Sequence, residues 1–213
     1  MVWCPDLSQR SMETIFTAIL KGFLLDQNKG LDKFASYIVK SSVDMYYKIT
    51  RELLPTPTKS HYTFNLRDLS KVFQGTLQVD LIPTKEVLVQ LWGHESQRVF
   101  FDRLVDEKDK DWYLTILQDH CQRVFEFEWT KEQIKDILFG DYGNANKEYM
   151  KVENPNDLPR KFNEYLLMYN ATFPKTMNLV FFSDAIAHLS RLCRVLRQTR
   201  GNALLIGVGG SGR

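Results

Sequence analysis

The sequence predicts a mainly α-helical protein: about 130 residues of all-helical domain, then a mixed segment that closes on an apolar run and a glycine-rich loop. Three observations carry this. Apolar residues recur at helical spacing in five segments between Ser11 and Glu126. Boundary residues, Pro55, Asn65, Pro83 and Thr84, fall between those segments. An apolar run, Ala203-Leu204-Leu205-Ile206, leads directly into Gly207-Val208-Gly209-Gly210-Ser211-Gly212-Arg213.

Ser11 to Leu24 reads as the first helix, with Ile15, Phe16, Ile19, Leu20 and Phe23 in its apolar pattern. Leu31 to Leu54 reads as the second, carrying Phe34, Ile38, Tyr46, Ile49 and Leu53, and Pro55-Thr56-Pro57 forces an extended link after it. Asn65 is a good N-cap for the third helix and Asp68 follows three residues on, a capping-box pair. Leu66, Leu69, Val72 and Phe73 form its apolar face, and Gly75 marks either its end or a weak point. Pro83-Thr84 introduces a fourth helix over Lys85 to Val105, and a fifth runs from Asp109 to Glu126. After Thr130 the pattern changes. Ile137 to Asp141 is a short apolar run closed by turn residues, and Asn144 to Pro159 is polar and reads as a linker. Leu158 to Tyr169 and Ser183 to Gln198 read as helices, with Ser183 placed to cap the second, and Ala203 to Ile206 reads as a buried strand.

Composition narrows the function classes. With 28 basic against 26 acidic residues and a net charge of +2, nothing favours nucleic acid or a membrane surface as partner. Cys4, Cys121 and Cys193 are scattered and odd in number, which fits a reducing compartment rather than a disulfide framework. His61, His94, His120 and His188 show no metal-ligand spacing. No stretch approaches the roughly 18 apolar residues of a membrane span, and Met1 to Ser11 lacks the layout of a signal peptide. An intracellular protein is expected. A chain that stops inside a glycine loop also reads as a piece of a longer protein.

Four motifs could carry chemistry. Gly207 to Arg213 fits a phosphate loop: glycines turn backbone N–H groups toward phosphate oxygens, and a basic side chain reaches the terminal phosphates. Gly207, Gly209 and Gly212 equally satisfy the GxGxxG of dinucleotide folds, and a plain glycine-rich turn is the third reading. Arg67 sits in the first turn of its helix, where a cation opposes the helix dipole; it makes sense there if it faces an anion, and otherwise Asp68 or solvent satisfies it. His94, Glu95, Arg98, Asp102 and Arg103 read as an ion network around Trp92. Arg191, Arg194, Arg197 and Arg200 read as a solvated face or a subunit contact.

Taken together, these segments resemble dynein heavy chains. His61-Tyr62-Thr63-Phe64-Asn65-Leu66-Arg67-Asp68-Leu69-Ser70-Lys71-Val72-Phe73-Gln74-Gly75 resembles the segment that closes the third AAA+ module of that family. Leu91-Trp92-Gly93-His94-Glu95, with Arg98-Val99-Phe100 and Asp102-Arg103-Leu104, resembles the helix after it. Asn178 to Ile186 and Arg200 to Gly212 resemble the opening of the fourth module, in the axonemal form Gly-Val-Gly-Gly-Ser-Gly. The resemblance implies a helical AAA+ small (lid) domain over residues 1–130, a connecting segment over 131–177, and over 178–213 the incomplete start of a P-loop NTPase large domain ending in its Walker A loop. It implies that Arg67 is a sensor-II arginine and that Leu179, Val180 and Phe181 flank an adenine pocket. Nucleotide would lie on Gly207, Val208, Gly209, Gly210, Ser211, Gly212 and Arg213, with arginine where the family form has lysine. The cofactors implied are ATP or ADP with Mg2+. No catalytic residue and no metal ligand is assigned within the chain.

The whole protein implied is an ATP-driven, minus-end-directed microtubule motor of cilia and flagella, in the cytoplasm, cytoskeleton and axoneme. Its partners would be adjacent AAA+ modules of the same chain, microtubules, and dynein intermediate and light chains. The part in hand would contribute to regulatory nucleotide sites and turn over no ATP alone. The rival readings are a non-enzymatic helical interaction module and a Rossmann-type nucleotide-binding protein.

Overall fold

A computed structural model describes residues 7–27, 30–142 and 146–207. The chain divides into two compact units, Met1–Phe139 and Gly140–Arg213. No helix among the described residues is long and apolar enough to cross a membrane.

The first unit is helical throughout. Its helices are α1 (Gln9–Gln27), α2 (Ala35–Glu52), α3 (Leu66–Thr76), α4 (Lys85–Val99), α5 (Glu107–Phe125) and α6 (Lys131–Asp136). α1 packs along α2, α3 along α4, and α5 meets α2, α4 and α6. The inward stripe of α1 is Met12, Phe16, Leu20 and Leu24, which leaves Ile15 and Ile19 in solvent. Phe16 stacks on Phe73 of α3 with ring centroids 4.5 Å apart, and this contact fixes which stripe faces in.

Trp92 is the centre of the core. It is fully buried in α4, its ring lies 5.5 Å from that of Phe125, and its Nε1–H donates to Ser42 Oγ at 2.8 Å. The Ser42 hydroxyl passes its own hydrogen to the Ile38 carbonyl at 2.8 Å, so no polar atom of this pair is stranded. α5 ends with Glu126 in the left-handed region, φ 65°, while Phe127 N–H closes back onto the Cys121 carbonyl at 3.0 Å. Lys85 donates to the Phe125 carbonyl at 2.7 Å, between the rings of Phe34 and Phe127, and places a cation at that helix's negative end.

Some sequence expectations need correction. The fourth helix ends at Val99 rather than Val105, and a 3-10 turn, Phe101–Arg103, follows it. Gly75 lies buried inside α3 and does not end it. A sixth helix, α6, occupies residues read as connection, with a capping box between Thr130 and Gln133.

His120 of α5 stands 3.0 Å from Asp44 of α2 and is nearly buried. Burial is the largest influence and holds its pKa below the usual histidine value; Lys48 pushes the same way, while Asp44 and Asp119 pull it upward. The imidazole thus takes up a proton more readily in the unfolded chain than in the folded one. The stability it contributes is present above about pH 6.5 and is lost as pH falls through the lowered folded value. Urea midpoints should therefore drop on going from pH 8 to pH 5.5, and the drop should be smaller in His120→Gln.

β1 (Phe139–Gly140), at the boundary of the two units, pairs with β2 (Met150–Lys151) in a two-stranded sheet. β2 lies within the stretch expected to be a plain polar linker. A 3-10 turn, Pro155–Asp157, leads into α7 (Leu158–Thr172), and α8 (Ser183–Arg197) follows. Tyr142 joins them: its ring is 5.2 Å from that of Phe162 in α7, and its hydroxyl donates to Ser190 Oγ of α8 at 2.9 Å.

Candidate functional site

The start of α3 is built by local chemistry and one distant arginine. Asn65 is extended, its side chain accepts the Arg67 N–H at 2.9 Å, and its own N–H donates to Asp68 Oδ2 at 3.1 Å. The expected capping box is present. Arg103 then clamps the approach. Its Nη1 donates to Asp68 Oδ2 at 2.9 Å, and its Nη2 donates to the His61 and Thr63 carbonyls at 3.0 and 3.1 Å. The guanidinium lies over the Phe64 ring at 4.7 Å, and the Arg103 carbonyl accepts from His61 Nε2 at 3.0 Å. The Asp68 carboxylate is thus turned toward Asn65, Arg103 and Lys71, and does not serve Arg67.

Arg67 is exposed, and among the described residues its guanidinium forms no ion pair. The capped first turn therefore carries an exposed cation. A cation is unfavourable there by about 0.3–1 kcal/mol, and a shared anion would reverse the sign. Sequence reading placed Arg103 in an ion network around Trp92; the structure pairs it with Asp68 instead. The family-like Asp102-Arg103-Leu104 was visible, but a contact across 35 positions leaves no local signature.

In the second unit, residues 177–182 carry no regular structure and lead into α8. Asn170 holds the start of this run at two points: its Nδ2 donates to the Met177 carbonyl at 2.8 Å, and its Oδ1 accepts the Met177 N–H at 2.8 Å. Phe181 is half-buried, 5.6 Å from the Phe162 ring. Leu179 is 50% and Val180 82% exposed, so these two side chains are uncovered. Ser183 does not cap α8: the capping position is Phe182 and no side-chain cap bond forms.

The arginine row is not a simple solvated face. Arg194 is buried; Arg197 donates to the Lys147 carbonyl at 2.7 Å, lies 3.6 Å from Asp141 and covers the Tyr149 ring. Arg200 is left-handed at φ 59°, and Gly201 N–H donates to the Gln198 carbonyl at 2.8 Å. A Cβ on Gly201 would stand 1.8 Å from the Val195 carbonyl oxygen, which explains glycine here. Gly201→Ala should cost about 1–3 kcal/mol, read as faster hydrogen exchange in the last turn of α8.

Ala203 to Ile206 is not a buried strand. It carries no regular structure, and Leu204, Leu205 and Ile206 are 84%, 76% and 86% exposed. A strand needs a neighbour to take its N–H and C=O groups, and no described residue pairs with this run. Gly207 is exposed. The remaining loop residues, Val208, Gly209, Gly210, Ser211, Gly212 and Arg213, lie outside the described residues.

Comparison with known proteins gives two family matches. Residues 38–134 match the family described as AAA+ lid domain, and residues 177–213 match the P-loop containing dynein motor region D4. Human dynein axonemal heavy chain 6 is 44% identical over 100% of this chain and 5% of its own length. Human dynein axonemal heavy chain 12 is 38% identical over 98% of this chain and 8% of its own. Mouse dynein axonemal heavy chain 1 is 43% identical over 98% of this chain and 5% of its own. The chain thus spans a small part, 5–8%, of the curated relatives it matches. A helical lid, the start of a P-loop region and a likeness running from end to end agree on one origin: the chain belongs to the axonemal dynein heavy chain family.

Proposed function

We propose that this chain supplies parts of two regulatory nucleotide sites in an ATP-driven microtubule motor of cilia and flagella: the lid of the third AAA+ module and the opening of the fourth. Arg67 acts as the sensor-II arginine, facing the γ-phosphate of the third module's ATP. Leu179, Val180 and Phe181 flank the adenine of the fourth, and Gly207 to Arg213 form its Walker A loop. The uncovered Leu179-Val180 and Leu204-Leu205-Ile206 are the apolar edges expected of segments completed by the rest of a large domain.

The observation that carries this reading is the exposed guanidinium of Arg67 on a capped helix start, with the adjacent carboxylate of Asp68 directed elsewhere. That arrangement fits a phosphate. No described residue is assigned to Mg2+. The chain alone turns over no ATP, because phosphoryl transfer needs a positioned metal and a water-orienting acid.

Arg67→Ala in the parent heavy chain should weaken ATP binding at the third module at least about tenfold, the loss of one charge-assisted hydrogen bond. Titration with a fluorescent nucleotide and ATP-triggered release from microtubules both read it, and Arg67→Lys should recover part of the loss. Unchanged affinity and release would remove Arg67 from the site.

A further inference from the structure

Between α2 and α3 the chain reads Pro55-Thr56-Pro57-Thr58-Lys59. Thr56 is followed directly by proline and, three residues on, by lysine, the pattern that proline-directed protein kinases accept. The structure presents it openly. Leu54, Pro55, Thr56, Pro57 and Thr58 are all exposed, and the Thr56 hydroxyl shares only a 3.3 Å contact with that of Thr58. Thr56 to Lys59 forms a turn with proline at its second position, closed by Lys59 N–H on the Thr56 carbonyl at 3.0 Å.

Lys59 is already committed. Its ammonium lies 2.5 Å from Asp106 and 2.6 Å from Asp109, over the Tyr62 ring. Asp109 also accepts the Tyr62 hydroxyl at 2.9 Å, and the Tyr62 oxygen accepts Val105 N–H at 3.0 Å. This hub anchors buried Tyr62, and Tyr62 in turn packs against Phe64, just ahead of the Asn65 cap.

We propose that Thr56 is a phosphoacceptor for a proline-directed protein kinase, and that its phosphate draws Lys59 off Asp109 and loosens the segment leading to Arg67. The Thr56 hydroxyl oxygen attacks the γ-phosphorus of kinase-bound ATP. The new O–P bond forms as the bond to the β-phosphate bridging oxygen breaks, ADP leaves, and the hydroxyl proton passes to the kinase's base. The product carries a charge of about −1.5 to −2 at pH 7, comparable with that of the two carboxylates Lys59 now faces, and it stands across a closed turn from Lys59. Only the consequence for phosphate sensing rests on the function proposed above; the modification and the loosening do not.

The test incubates the purified chain with a cyclin-dependent kinase and ATP, maps phosphate by mass spectrometry, and then measures hydrogen exchange. Phosphate should appear on Thr56 and be lost in Thr56→Ala and Pro57→Ala. Amides 62–69 should then exchange about tenfold faster, the loss of one charge-assisted bond, while the buried turns of α5 stay unchanged. Unphosphorylated Lys59→Ala should show the same acceleration. Absence of phosphate on Thr56, or phosphate there with unaltered exchange, would overturn the proposal. Neither readout requires bound nucleotide, so this failure is distinct from failure of the function proposed above.

Discussion

Trp92→Ala should lower the stability of the first unit by about 3–5 kcal/mol, enough to unfold a marginal domain. The side chain is wholly buried and ties three helices: α4 carries it, α2 receives its N–H through Ser42, and α5 packs Phe125 on its ring. Truncation removes the contact area and leaves a cavity among the three helices. Trp92→Phe separates the effects. It keeps most of the apolar volume and loses the bond to Ser42, whose hydroxyl still donates to the Ile38 carbonyl, so the hydrogen-bond part should be about 1 kcal/mol. Urea unfolding followed by far-UV circular dichroism reads both variants. A loss below about 1.5 kcal/mol for the alanine would mean that Trp92 is not the centre of this core.

Arg103→Ala should cost about 2–3 kcal/mol and free the segment that presents Arg67. An exposed ion pair is worth only about 0–1 kcal/mol, so the measured size decides what kind of contact this is. The geometry favours the larger figure: the Asp68 side chain is only 7% exposed, and the same guanidinium holds two carbonyls and covers Phe64. Lysine cannot reproduce this fork, so Arg103→Lys should recover little. Hydrogen exchange should show amides 61–68 opening while α5 keeps its protection. In the parent heavy chain, Arg103→Ala should weaken nucleotide binding without any contact to nucleotide of its own.

What the sequence revealed depended on range. Asn65 with Asp68 and Thr84 before Lys85 were legible because a cap is closed within three residues. α6 spans only six residues, too few for a periodic pattern, and its one signal was the Thr130–Gln133 box. Phe16 and Leu20 of the α1 stripe follow from the spacing, but Ile15 and Ile19 fit it equally well and lie outside; Phe73, distant in sequence, makes the choice. Arg67 was legible as an anomaly, a cation at the wrong end of a dipole, whereas the Arg103 clamp that positions it was not. Ala203 to Ile206 failed as a strand because sheet formation is a pairing, and apolar composition does not supply the second partner.

The most direct test of the central claim is a structure of the parent heavy chain with a bound ATP analogue at the lid formed by α1–α6. The account predicts a guanidinium nitrogen of Arg67 within about 3.2 Å of a phosphate oxygen, with Asp68 still held by Arg103. Nucleotide bound there with Arg67 left in solvent, or Arg67 paired with a carboxylate instead, would contradict it.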